Sequence, residues 1–437
     1  MKILRHLPKL LMKIYKTPMK KNSLLLLLIV FSLPGHAQKK ELASILVEAG
    51  TYQRINTPVS IDLKNISVAD TLKLVLYESV KGKLTETASQ VEEGYVPRLW
   101  WIMTGTTLPG TKREYVLYQE YRPSPAPAVV NEKRPDIIRI LNNGKPVLDY
   151  AVSLVYPPAN VDTMYKRNGF IHPLYSPTGN ILTRINAPDH YHHFGIWNPW
   201  TRVRIRDHVT DFWNLYEHQG TVRFAGFNSI TDGPVYGGFS VRQEHIDFQG
   251  TKPEEITFNE VWDIRVWNTL PLNGSQAWLV DAVSYLSVAG NDPVTLEAYR
   301  YGGGIGFRAT AEWDNKNSWV LTSEGKTRID ADGTRARWTD VGGMFAGKGE
   351  SGIVFFSHPS NRQHPEPMRV WPVNQNGRGD MFFEFCPIRH RDWVLEPGKV
   401  YRLKYRMLVY DGKVDKSVSE RIWLDFAYPP VAKLTLK

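Results

Sequence analysis

The sequence predicts an all-β protein: a small N-terminal β-sandwich domain followed by a large antiparallel β-sandwich. Three observations lead there. Long segments alternate apolar and polar residues with the period of two that a half-buried strand requires. Turn-forming residues punctuate them. The regular β–α alternation of a parallel barrel is absent, and the one fair helical segment is Ser417–Ala427, stopped by Pro429 and Pro430.

Residues 1–37 read as an export signal. Lys20 and Lys21 precede the apolar run Ser23–Leu33, and Gly35 and Ala37 put small residues at −3 and −1 of a cleavage point before Gln38. Met19 is a more ordinary start for such a segment than Met1. The run is too short for a comfortable membrane span, so the mature chain is expected to carry none. No cysteine lies near the cleavage point, so no lipid-anchor signal of the cysteine type is expected.

Residues 38–122 form the expected small domain, with strand-like runs at Ser60–Leu63, Leu72–Tyr77 and Tyr115–Tyr121. Pro123, Pro125 and Pro127 make residues 123–128 a stiff linker. The large domain is expected over 129–437. Ile256, Phe258, Trp262, Ile264 and Val266 fall on one strand face, and Trp278, Val280, Ala282, Leu286 and Val288 on another. Tyr401, Leu403, Tyr405, Met407 and Val409 alternate with Arg402, Lys404 and Arg406. Strands of ten residues with one wet face suit a sandwich. Asp332-Gly333 and Asp411-Gly412 read as hairpin turns.

Hydrophobic residues at 42% and charged residues at 22% allow a large core. The chain has one cysteine, Cys386, in the apolar run MFFEFCP. No intramolecular disulfide is possible, and the thiol reads as buried and inert. Seven of the basic residues behind the formal charge of +10 lie in residues 1–37, which hold no acid. Subtracting them leaves +3, which carries no electrostatic footprint for nucleic acid.

Chemistry concentrates in Ala187–His218. This stretch holds His190, His192, His193, His208 and His218 beside Trp197, Trp200 and Trp213. Imidazoles exchange protons near neutrality and ligate metals. On a strand, His190 and His192 share a face about 6.6 Å apart and His193 takes the other. In a loop, all three converge. Four more stretches are over-polar for their surroundings. They are Phe170–Gly179 with His172, Glu297–Arg308 with Arg300, Tyr301 and Arg308, Ser357–Asn361 with His358, and Pro367–Trp371 with Arg369. Loop ends of a rigid scaffold converge on sites, and these are expected to share one pocket. Gly304–Ala309 matches a dinucleotide fingerprint on paper, but no helix follows it, so a nucleotide cofactor is not expected.

The runs His172–Gly179, Thr183-Arg184, Asp189–Gly195 and Asp211-Phe212-Trp213, with Tyr301–Arg308 and His358–Asn361, resemble the secreted bacterial family labelled methane oxygenase PmoA. The resemblance covers roughly residues 130–412, and Phe194 stands where the family pattern has Arg. It implies a secreted protein of carbohydrate-using bacteria, periplasmic or extracellular, with a domain similar to the sandwiches of sugar mutarotases. It does not carry methane oxidation, which belongs to a membrane copper protein.

The expected function is therefore sugar chemistry: hydrolysis, elimination or epimerisation. His190, His192, His193, Asp211 and His358 would supply acid/base groups, with Asp189 or Asp211 orienting an imidazole. His172, Trp197, Trp213, Arg300, Tyr301, Arg308, Asn361 and Arg369 would hold the substrate. A carboxylate pair for hydrolysis would come from Glu297, Glu384, Asp189 and Asp211. Two alternatives stand beside this. In one, a divalent metal sits on His190 and His192 plus His172 or His358. In the other, the protein binds sugar without catalysis.

Overall fold

Strand pairing follows the alternation. In the computed structural model, which describes residues 39–67, 72–250, 252–269 and 276–437, the segments Glu255–Trp267, Ala277–Val288 and Tyr401–Asp411 are neighbouring antiparallel strands. They are the centre of an eight-stranded sheet that Gly220–Thr231 and Tyr236–Asp247 extend on one side. Gly349–Ser357, Trp338–Phe345 and Ser318–Thr322 extend it on the other. The signal expected over residues 1–37 lies outside the described residues.

A nine-stranded sheet supplies the second layer. Its middle runs Phe382–Phe385, Ile305–Arg308, Ile196–Trp197, Ile171–Leu174, Lys145–Ala151. The inner faces of the two sheets share one core. Ile171, Phe307 and Phe383 from one meet Ile264, Phe355 and Met407 from the other. Phe355 packs 5.3 Å from Phe307 and 4.9 Å from Phe383. The large sandwich is thus an apolar filling between two antiparallel sheets. Cys386 is buried beside it.

Residues 40–120 and 431–436 make two further sheets around a separate core of Ile45, Val59, Leu76, Leu99, Trp101 and Leu117. One detail departs from the expected boundaries. The strand Val431–Leu436 does not stay with the large sandwich but pairs antiparallel with Lys40–Glu48. Residues 121–127 carry no regular structure. The helix Lys416–Ala427 bridges the two parts. It buries Ile422, Trp423 and Phe426, and Trp423 Nε1 donates to the Ser357 carbonyl at 3.0 Å. Asp425 accepts from Arg54 and Thr57, each at 2.8 Å. Among the described residues, no helix is long and apolar enough to cross a membrane.

Neither expected hairpin turn joins two paired strands. Asp332-Gly333 precedes Arg335-Ala336, which pairs with Glu366–Val370, and Gly333 N–H bonds to the Met368 carbonyl. Asp411-Gly412 leads from a strand into the helix. In both cases, pairing partners distant in sequence outcompete the local hairpin.

Candidate functional site

The histidine stretch is a short strand after all. His190–Phe194 pairs with Ile185–Ala187, with a register irregularity between Ile185 and Ala187. Gly195 then turns the chain into Ile196–Trp197, which enters the nine-stranded sheet between Ile171 and Phe307. A side chain at that turn would force the backbone to shift: φ is +66°, and a Cβ would sit 2.3 Å from the Ile171 carbonyl oxygen. Arg308 N–H donates to the Gly195 carbonyl at 2.8 Å, which brings its side chain beside the histidines.

The strand assignment does not separate the rings. Ring centroids lie 4.8 Å apart for His190 and His193, 5.0 Å for His192 and His193, and 5.3 Å for His190 and His192. One nitrogen from each ring can be chosen so that all three lie within 4.8 Å of one another. His193 is fully buried among Trp197, Trp213, Trp371 and Phe382. His190 is 30% exposed.

Asp189 ties the cluster together. Its carboxylate accepts from His190 Nδ1 at 2.9 Å, from Arg308 Nη2 at 2.8 Å and from Asn376 Nδ2 at 2.8 Å. Burial alone would push its pKa up, but the His190 hydrogen bond and the Arg308 cation hold it well below the usual carboxylate range. Burial drives His192 down to about 3, helped by His190 and Arg308. It drives His193 well below the ordinary value, helped by His192 and Arg308. Both rings are therefore neutral near pH 7, with lone pairs open to a metal, and are unsuited to carry a proton as imidazolium.

The remaining predicted residues divide. Tyr301 joins the site's wall, edge-on to Trp213 at 4.7 Å. Trp197 and Trp213 are walls rather than open faces, being almost wholly buried. Asp211 accepts from the Trp213 and Asn214 N–H groups and from Thr201 Oγ1, at 2.8–2.9 Å. It fixes the turn that carries Trp213, and Asp189 is the carboxylate that orients an imidazole. Phe194 is core, 5.6 Å from the Arg167 guanidinium.

Three expected members sit apart, and Arg300 stays at the wall residue Tyr301. His358 packs on Phe426 at 5.1 Å and bonds to Ser360. Its N–H donates to the carbonyl of Lys404, a residue lining a separate cleft of about 410 Å³. Asn361 bonds to Glu366 and the Lys404 carbonyl. Arg369 pairs with Asp332 at 2.8 Å. Arg300 is exposed over Tyr301. The single pocket expected from these stretches is therefore corrected to the cluster around His190, His192, His193 and Arg308. A strand-end His-Pro reads alike at whichever end of the sandwich its strand stops.

His172 bonds through Nδ1 to Thr183 Oγ1 at 2.9 Å, and burial pushes it down to about 4. Nor do the four candidate acids offer a free pair. Asp189 and Asp211 are fully engaged, and Glu297 is paired with Arg202 and Arg204. Glu384 is buried, with its pKa raised well above the usual range by desolvation.

Besides Phe382 and Asp380, sequence reasoning missed three contributors. Asn376 comes from a turn with no distinguishing pattern. Tyr165 and Tyr216 come from two short 3-10 turns, Thr163–Tyr165 and Leu215–Glu217. Tyr216 is 60% exposed. It stacks on Tyr165 at 6.2 Å, and Tyr165 stacks on His192 at 6.4 Å. A row of rings thus leads from solvent to the histidines.

Fold and site define an all-β sandwich protein with a three-histidine centre on a two-stranded hairpin beside the middle strands of the nine-stranded sheet. The chain belongs to a family of unknown function, DUF6807, whose pattern matches residues 138–424. No curated protein matches it in sequence. Among solved structures it is similar to an alpha-mannosidase from Enterococcus faecalis V583, with 10% identity and a TM-score of 0.40 over 90% of this chain and 46% of that one. It is also similar to a protein in the glycosyl hydrolase family 38 from Enterococcus faecalis, with 10% identity and a TM-score of 0.42 over 90% and 47%. The chain spans about half the length of both, and at such scores neither bears on the site.

Proposed function

We propose that this chain is an exported carbohydrate-active enzyme whose reaction centre is the cluster of His190, His192 and His193. The observation that carries the reading is the ring row Tyr216–Tyr165–His192, which runs from an exposed ring to a polar, aromatic-walled centre. Pyranose rings present apolar C–H faces that stack on aromatics and hydroxyls that need donors and acceptors. Tyr216 and Tyr165 offer the first kind of contact, and His190 and Asn376 offer the second. The resemblance of the Asp189–Gly195 motif to a secreted family of carbohydrate-using bacteria points the same way. With Asp189, Asp211 and Glu297 engaged, the candidate acids leave no free pair, and the site supports chemistry through imidazoles.

The test is a turnover screen of the mature protein against polysaccharides and neutral and uronic oligosaccharides. His190→Ala is expected to lower kcat by about 10²–10⁴-fold. Tyr216→Ala and Tyr165→Ala are expected to raise KM several-fold with kcat nearly unchanged. Absence of turnover across the screen, or full activity in His190→Ala, would refute the assignment.

A further inference from the structure

We propose that His190, His192 and His193 bind one divalent transition-metal ion of the zinc class, leaving a coordination position for water or a substrate oxygen. The proposal deepens the reading of this centre given above and stands on three independent observations.

The first is convergence. One nitrogen from each ring lies within 4.8 Å of the other two. An ion with nitrogen bonds of about 2.0–2.1 Å keeps its ligand atoms about 3.4 Å apart, so the rings close by about an ångström on binding. His190 and His192 are only partly buried, whereas His193 is gripped by its aromatic neighbours and sets the position.

The second is the support behind the ligands. Asp189 accepts from His190 Nδ1, which leaves Nε2 as the lone-pair nitrogen of that ring. A carboxylate in this position fixes the tautomer and raises the basicity of a metal-binding imidazole. Asp189 is itself held by Arg308 and Asn376. The Arg308 cation pairs with Asp189 at 2.8 Å and Asp380 at 3.7 Å, and its Nη1 lies a long 3.4 Å from His193 Nδ1, a weak contact that an ion on His193 would replace.

The third is a set of unmet polar atoms. His192 Nδ1 is buried without a hydrogen-bond partner, and so are Trp197 Nε1 and Trp213 Nε1. Both indole rings pack against His193. Buried polar atoms are rarely left this way. An ion gives an imidazole lone pair its partner, and oxygens brought in by the ion give the indole N–H groups theirs. Three neutral imidazoles also leave the ion's charge undiminished. Such an ion acidifies a bound water or polarises a sugar oxygen. An all-imidazole set selects zinc, cobalt, nickel or copper over magnesium or calcium.

The experiment uses the full chain without a histidine tag, stripped with chelator and titrated with Co(II), with Mg(II) as the contrasting ion. Visible absorption and elemental analysis give the stoichiometry. One Co(II) per chain with d–d bands is expected, with no Mg(II) uptake. His190→Ala and His192→Ala should weaken binding at least 100-fold, and Asp189→Asn by about 10–100-fold. His358→Ala, whose side chain lies elsewhere, should bind as wild type does. Should an alanine variant fail to fold, as judged by thermal unfolding, His192→Gln replaces it. No Co(II) uptake by the wild type, or equal uptake by the histidine variants, would overturn the proposal. Metal uptake without sugar turnover would refute the carbohydrate reading and leave the metal centre standing. Sugar turnover by metal-free protein would leave the carbohydrate reading standing and overturn the ion's part in holding a substrate oxygen.

Discussion

Arg308 Nη2 donates to both carboxylate oxygens of Asp189 at 2.8 Å, across 119 residues of sequence. The contact fastens the histidine hairpin to the nine-stranded sheet, and its cation is almost wholly buried. Removing the acid leaves that cation with Asp380 alone, and an orphaned buried charge is costly. Asp189→Asn is expected to lose about 2–4 kcal/mol in urea unfolding. Arg308→Met combined with Asp189→Asn should lose less than the two single changes added together. Strict additivity would mean that the two groups do not act as a pair.

Gly195 holds the second fastening. Its φ of +66° and the 2.3 Å approach of a Cβ to the Ile171 carbonyl forbid a side chain without backbone movement. Gly195→Ala should destabilise the protein by at least about 2 kcal/mol. It should also displace His193, giving lower activity than the stability loss alone explains. A variant with wild-type unfolding would show that the turn relaxes freely.

A pH effect is expected from Glu366, a buried acid remote from the histidines. It accepts from Ser357, Asn361 and Tyr405, yet burial pushes it up to about 7 from an ordinary 4.5. A raised folded-state value means that the proton favours the folded state. The contribution is complete below about pH 4.5 and is lost as pH rises through about 7. Wild type should therefore lose stability relative to Glu366→Gln between pH 5 and 8, by on the order of 3 kcal/mol. Parallel stability profiles for the two proteins would show that Glu366 stays ionised throughout.

The strand Val431–Leu436 should matter to the N-terminal sheets and not to the histidine centre. Deleting residues 431–437 strips one partner from Lys40–Glu48 and removes Ala432 and Leu434 from the small core. Limited proteolysis read by mass spectrometry should then cut faster within 39–122. A nick in 123–128 of the intact chain should not release either part without denaturant, because the strand pairing and the Arg54–Asp425 contact hold them. Spontaneous separation on a sizing column would contradict this.

How much of this could be read beforehand differs by level. Alternation placed the strand Glu255–Trp267 to within one residue, because one face is apolar and strand period is a local property. The same pattern skipped Glu260, which lies on the buried face between Phe258 and Trp262. The fold tolerates it because Asn198, Trp200, Trp262, Ser284 and His245 all bond to its carboxylate. Four of those five come from other strands or loops, so no local rule could show the compensation. The histidines were legible as a cluster because they are adjacent in sequence. Arg308 was legible as a charge out of place in an apolar run, but its partner was not. His358 carried the same local signal and lies elsewhere, since chain direction past a strand end is decided by packing.

The pairing of residues 431–436 with residues 40–48 also sets an order of events in time. The Lys40–Glu48 strand can pair with Lys112–Glu120 early, but its other edge has no partner until nearly four hundred further residues have been synthesised. An open strand edge is a template for adventitious pairing with other chains. The long sequence separation of this contact also slows its formation. The chain must therefore wait with that edge exposed, or with something temporarily covering it. The step that closes the N-terminal sheet thus follows synthesis of the large sandwich, and until then that edge is open to aggregation.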